Sequence, residues 1–199
     1  MSAANRSIGA LALVSTVALA QTSPASAPRP GTAASSPPSA VHVPGKNSHA
    51  SHYRAAQAAK VSLAQAIAVA EGTSGGGRAL EAQFDIERGR GQYAIKVIGA
   101  DGRLIEDYVD ADSGQVVQSE PHPVEGFFSR LRPADVQRAR TTLRQAIAMA
   151  EQKAGGKAVQ AAVERTASAD AVSYEITVAN GDKAQRIKVG GSGRVTAQY

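Results

Sequence analysis

Asp110 and Asp112 stand two apart in Asp110-Ala111-Asp112-Ser113-Gly114, and they are the most metal-like feature of the chain. The pattern resembles the opening of a calcium loop, which also needs a bidentate Glu at its twelfth position. Counted from Asp110, that position is Pro121, so the segment reads as a strand end and a turn. Glu106 and Asp107 extend it into an acidic edge. Neighbours on a strand point to opposite faces, which argues against a paired acid and base there. His49 and His52 could share a divalent metal ion if their segment were helical. No third ligand lies at a fixed spacing, so a solvated linker is the preferred reading. All four histidines, His122 included, fall in predicted linkers, so an activated Ser–His pair is not expected. The absence of cysteine removes disulfides, thiolate metal sites and cysteine nucleophiles together. Gly75-Gly76-Gly77 and Gly190-Gly191-Ser192-Gly193 lack the Lys and the strand–helix context of a phosphate loop. No catalytic residue, metal ligand or cofactor is assigned.

The elements that must position these residues begin with a block that occurs twice. Ser62-Leu63-Ala64-Gln65-Ala66-Ile67-Ala68-Val69-Ala70-Glu71 returns 80 positions later as Thr142-Leu143-Arg144-Gln145-Ala146-Ile147-Ala148-Met149-Ala150-Glu151. Ser62 with Gln65, and Thr142 with Gln145, form capping boxes that start a helix. Leu63, Ile67 and Ala70, like Leu143, Ile147 and Ala150, form one narrow apolar stripe. Gly72 is expected to end the first helix, and Gly155-Gly156 follows the second. Helices this short are marginal alone, so each needs a surface to pack on.

Alternation supplies that surface. Leu80, Ala82, Phe84 and Ile86 alternate with polar residues, and Tyr93, Ile95 and Val97 follow after Gly89-Arg90-Gly91. Asp101-Gly102 marks a hairpin. The next strand, Leu104 to Asp110, is ambiguous in facing: Leu104 and Tyr108 compete with Ile105 and Val109. A short fourth strand, Gln115 to Gln118, follows Ser113-Gly114. The second unit repeats the plan with Val159, Ala161 and Val163, then Val172, Tyr174, Ile176 and Val178, then Ala184 to Val189 and Arg194 to Gln198. The fold class is α+β: two tandem repeats, each a short helix packed on a three- or four-stranded antiparallel sheet.

The organisation read from the chain is a signal peptide over 1–20, a Pro/Ser/Ala-rich disordered linker over 21–60, a first repeat over 61–120, an inter-repeat segment over 121–140 and a second repeat over 141–199. Arg6, the uncharged run from Ile8 to Ala20, and Ala18-Leu19-Ala20 place signal cleavage between Ala20 and Gln21. The run is shorter than the ~20 residues that a span requires, and no other stretch is apolar enough for a transmembrane span in the mature chain. A periplasmic or secreted location follows. In the inter-repeat segment Phe127, Phe128 and Leu131 are large apolar residues among arginines. They are expected to dock on the repeats and fix their orientation, or else to form an exposed protein-binding patch. Two units this small would both gain from such packing.

These units resemble the PepSY family, small modules of peptidase propeptides. The resemblance rests on Leu-x-Gln-Ala-Ile-Ala-x-Ala, on Tyr93-Ala94-Ile95-Lys96-Val97, and on Val109-Asp110-Ala111-Asp112-Ser113-Gly114-Gln115-Val116. In the second unit the helix and Tyr174-Glu175-Ile176-Thr177-Val178 match, but Val189-Gly190-Gly191-Ser192-Gly193 is one residue shorter and has glycines in place of Asp110 and Asp112. The layout is also similar to that of beta-lactamase inhibitor protein, by architecture and not by motif. The resemblance implies an exported non-enzymatic protein that binds another protein, a peptidase regulator or inhibitor, with Asp110 and Asp112 in the turn where the two units differ. An extracytoplasmic small-ligand or metal sensor module is the alternative. The net charge of +5 lacks an interleaved aromatic platform, so no nucleic-acid partner is expected.

Overall fold

Both repeated blocks are helices with the same caps. In a computed structural model describing residues 46–122, 131–166 and 172–198, α2 spans Leu63–Thr73 and α4 spans Leu143–Ala154. The Ser62 and Thr142 hydroxyls each accept the N3 amide at 3.2 Å, and the Gln65 and Gln145 side chains each return a bond at 2.8 Å. Gly72 lies inside the last turn of α2, and Ser74 is its C-cap. Gly155 closes α4 in the left-handed region. The buried positions correspond one to one: Leu63, Ala66, Ile67 and Ala70 in α2, Leu143, Ala146, Ile147 and Ala150 in α4. Each large aliphatic side chain so buried contributes about 1.5–3 kcal/mol.

The strands are β1 Arg78–Glu87, β2 Arg90–Ile98, β3 Leu104–Asp110 and β4 Val116–Pro121, then β5 Lys157–Arg165, β6 Val172–Asn180, β7 Lys183–Gly190 and β8 Val195–Gln198. Each half is thus a helix followed by four antiparallel strands. The fourth strand of the first half reaches Pro121, which an edge strand tolerates because no neighbour needs its missing amide. The turn between β1 and β2 is Arg88-Gly89, both at positive φ, one residue earlier than the sequence suggests.

The halves are not two separate sheets. They merge into one eight-stranded sheet of order β4-β3-β2-β1-β5-β6-β7-β8. The junction pairs Glu81 with Ala162, Ala82 with Ala161, and Gln83 with Gln160. Ala82 and Ala161 are 79 positions apart, and the same offset carries Glu81 onto Gln160 and Gln83 onto Ala162. The ladder therefore maps onto itself, and a pseudo-two-fold axis passes by the Ala82–Ala161 pair. Arg144 of α4 reaches Glu71 of α2 at 3.0 Å beside it.

Backbone accounting follows the same symmetry. Val61 N–H bonds Ala111 O, and Thr141 N–H bonds Gly191 O. The buried hydroxyls of Tyr93 and Tyr174 donate to Val61 O and Thr141 O. Glu71 and Glu151 accept the Ala79 and Ala158 amides at the strand bulges. Gly77 and Gly156 precede those bulges, where a Cβ would collide with the Ile98 and Ala179 carbonyls.

The sequence reading leaves 46–60 in a structureless linker, but Lys46–Ala58 is a helix, α1. Its contacts are small and distant in sequence, which is why composition hides it. Ala56 and Ala59 are buried, and Tyr53 and Ala55 pack against the core. Although α1 precedes the first half, it fastens to the second. The Gln57 amide exchanges two hydrogen bonds with Gly181. Lys157 Nζ donates to the Gln57 and Ala59 carbonyls, and Arg54 pairs with Asp182 at 2.7 Å. A shorter helix, α3 Pro133–Arg138, stands in the same place before α4, with Val136 buried as Ala56 is. Leu131 is buried in the core. Phe127, Phe128, Ala20 and Gln21 lie outside the described residues.

Candidate protein-binding face

The helices α2 and α4 pack on one face of the sheet, the face that carries Ala82 and Ala161. The opposite face is polar. Directly paired residues share a face, so the registers define rows that cross the strands. One row runs Glu120, Glu106, Lys96 and Glu81 through the first half. It continues as Ala162, Glu175, Lys188 and Thr196 through the second. The next runs Gln118, Tyr108, Ala94 and Gln83, then Gln160, Thr177 and Arg186.

The charges on this face differ between halves. In the second half Arg186 holds Glu175 at 3.1 Å and Lys188 holds Glu164 at 2.9 Å. In the first half Lys96 holds Glu81 at 2.9 Å, while Glu106 has His122 at 3.8 Å and Glu120 accepts from the Gln118 amide. The first half therefore carries an excess of carboxylates on a chain whose net charge is +5. Tyr108 sits among them, half-buried. Burial pushes its phenol up, Glu106, Glu120 and Asp85 push the same way, and Lys96 opposes them. A partly buried tyrosine ringed by charge is the residue type that anchors protein interfaces.

The facing of β3, ambiguous in the sequence, is set by its pairing with β2. Val109 pairs with Tyr93, and Asp107 pairs with Ile95, so the odd positions face the helices. Asp107 is then fully buried. Its Oδ1 accepts from the Ser119 hydroxyl at 2.6 Å, and its Oδ2 has no partner among the described residues. The corresponding residue of the second half is Ile187, opposite Ile176. The alternation Tyr93, Ile95, Val97 extended across the hairpin is the signal that would have found it.

Asp110 and Asp112 are brought together, but not as ligands. Asp110 Oδ1 accepts from the Asp112 amide, the Ser113 amide and the Ser113 hydroxyl at 3.1, 2.7 and 2.9 Å. Those bonds, the Ser113 pair first, hold its carboxyl below the ordinary value. Asp112 is exposed, with Lys60 at 3.8 Å. In the second half Gly190 takes the place of Asp110, but Ser192 alone replaces Asp112-Ser113, because Gly191 keeps the Ala111 bonding position. Asp112 has thus not become a glycine. Two of the histidines need correction: His49 and His52 lie on α1, while His122 follows β4. Among the described residues, no three His, Cys, Asp or Glu side chains gather at metal-binding distance.

A helix laid over an antiparallel meander defines a small α+β module, and residues 60–120 match the family model described as PepSY, peptidase propeptide and YPEB domain. The match lies within the first half of the fold. No curated protein matches the chain. Among solved structures, a candidate lipoprotein of Clostridium difficile 630 aligns with a TM-score of 0.41 at 16% identity, over 72% of this chain and 97% of its own. At that distance the likeness says nothing about function. No helix among the described residues is long and apolar enough to cross a membrane.

Proposed function

We propose that this chain is an exported, non-catalytic PepSY protein that binds another protein through the open face of its sheet, and that the partner is a peptidase which it restrains. The observation that carries the reading is the acidic patch around the half-buried Tyr108, on a module whose family is described by its occurrence in peptidase propeptides. The partner would present a basic surface, since charge complementarity steers encounter and fixes register. Occlusion by a flat face requires no covalent chemistry. The N-terminal run ending at Ala18-Leu19-Ala20 supports an extracytoplasmic site of action, with cleavage between Ala20 and Gln21. The inter-repeat residues Phe127, Phe128 and Leu131 are proposed to lock the halves, and Asp110 and Asp112 to shape the neighbouring turn.

The test is inhibition of a panel of purified envelope peptidases by the protein, with Tyr108→Ala and Glu106→Lys as variants. The expected result is saturable inhibition of at least one peptidase, weakened about tenfold or more by either variant. Inhibition unaffected by both variants, or none across the panel, overturns the reading.

A further inference from the structure

A cleft of about 480 Å3 lies where α1 meets β1, β5 and β6, within the size range of small-molecule sites. Gln83, Gln160 and Thr177, directly paired on adjacent strands, form its floor, and His52 and Tyr53 of α1 stand over it. Among the described residues, the three floor side chains make no hydrogen bond to protein. The Phe84 ring closes one side, with His52 edge-on at 5.3 Å.

Asp85 is the charged group of this cleft, and the two halves show what it lacks. Its counterpart, 79 positions on, is Glu164, which is held by Lys188 at 2.9 Å. The residue corresponding to Lys188 in the first half is Tyr108, so the cation is gone. Asp85 Oδ1 accepts only the Ile86 amide, at 2.7 Å, and no ion pair reaches it among the described residues. A carboxylate without its cation, amide acceptors and aromatic rings thus share one cleft.

We infer that this cleft is a binding site for an organic cation, an ammonium or guanidinium group carried by a small molecule or by a peptide side chain. Asp85 supplies the countercharge that Lys188 meets in the other half. Gln83 and Gln160 hold the amide or hydroxyl groups of the ligand, and its stem lies against Phe84 and Tyr53, where a cation also gains from ring faces. The floor continues the cross-strand row that carries Tyr108, but cation binding there does not depend on a peptidase partner.

The test is titration of the purified protein, followed by amide chemical shifts and calorimetry, with N-acetyl-arginine amide, N-acetyl-lysine amide, the neutral isostere N-acetyl-citrulline amide, and a pentapeptide with a central Arg. Shifts around Gln83, Gln160 and Thr177 are expected with the cations, with citrulline binding at least about tenfold weaker. Asp85→Asn should lose the same factor, that of one charge-assisted hydrogen bond, with its thermal unfolding unchanged because the side chain is exposed. Gln160→Ala should weaken both cations. Tighter binding of the peptide than of the amides identifies a polypeptide source, and equal binding a small-molecule source. Equal affinity for arginine and citrulline, full binding by Asp85→Asn, or no shift at about 10 mM of any cation overturns the inference.

Discussion

The first half, from Ser62 to Pro121, and the second, from Thr142 to Gln198, solve one packing problem with the same bonds and then diverge where nothing packs. The capping boxes, the tyrosine-to-carbonyl bonds and the glutamate bonds to the bulge amides occur in both. The tyrosine and glutamate bonds satisfy backbone groups that burial would otherwise leave orphaned. The divergent pairs are Tyr108 and Lys188, Glu106 and Arg186, Asp107 and Ile187, Asp110 and Gly190. Three of those four lie on the open face or a turn. Scaffold and surface are therefore separable in this molecule, and the first half's surface holds both the acidic row and Asp85, which no ion pair reaches among the described residues.

Seven substitutions, at four places in the fold, would break or sharpen that comparison. The largest effect is expected at the axis. Ala82→Arg would leave an unpaired charge in the core and cost about 3–5 kcal/mol, and Ala161→Arg should cost the same, because each opposes the other. Urea unfolding checks both, and a large inequality would mean that the junction is not symmetric in energy. Next is Asp107→Ile, which installs the second half's residue. Removing the orphaned Oδ2 should stabilise the protein by about 1–3 kcal/mol, a rise in the urea midpoint. A fall would show that Asp107 has a partner in the folded protein.

Tyr93→Phe and Tyr174→Phe should each cost about 1 kcal/mol, the worth of one buried hydrogen bond. They also carry a pH signature. Burial first, and Glu151 second, pushes the Tyr93 phenol from 10.0 up to about 12, and burial pushes Tyr174 in the same direction against Arg78. A raised value means that the folded state holds the proton, so this contribution is complete below about pH 10 and is lost as pH rises through about 12. Alkaline unfolding curves of the two Phe variants should be correspondingly flatter. The smallest effect is Asp110→Ala, about 0.5–1 kcal/mol, from loss of the turn bonds. Because the Asp110 value is lowered, its contribution is present above the ordinary 3.8 and fades as pH falls through the folded value. Gly190→Asp, the reciprocal change, should gain less than Asp110→Ala loses, since the shortened turn offers Ser192 alone where Asp110 meets both Asp112 and Ser113.

What the sequence determined by itself is local. Ser62 with Gln65 and Thr142 with Gln145 cap helices through bonds three residues apart, so the helices were legible, as were the strands whose side chains alternate. The acidic turn was legible too, because Asp110 bonds its own neighbours. Tertiary structure decided the rest. The β1–β5 junction is made by backbone groups, which are identical in every residue and leave no mark in the pattern. The helix α1 draws its stability from alanines and from bonds to Gly181 and Lys157, more than ninety residues away. Asp107 came to face the helices, and Tyr108 the opposite side, only when β3 took its register from Tyr93 and Ile95 of β2; a one-residue slip would exchange them, because side chains on a strand alternate with period two.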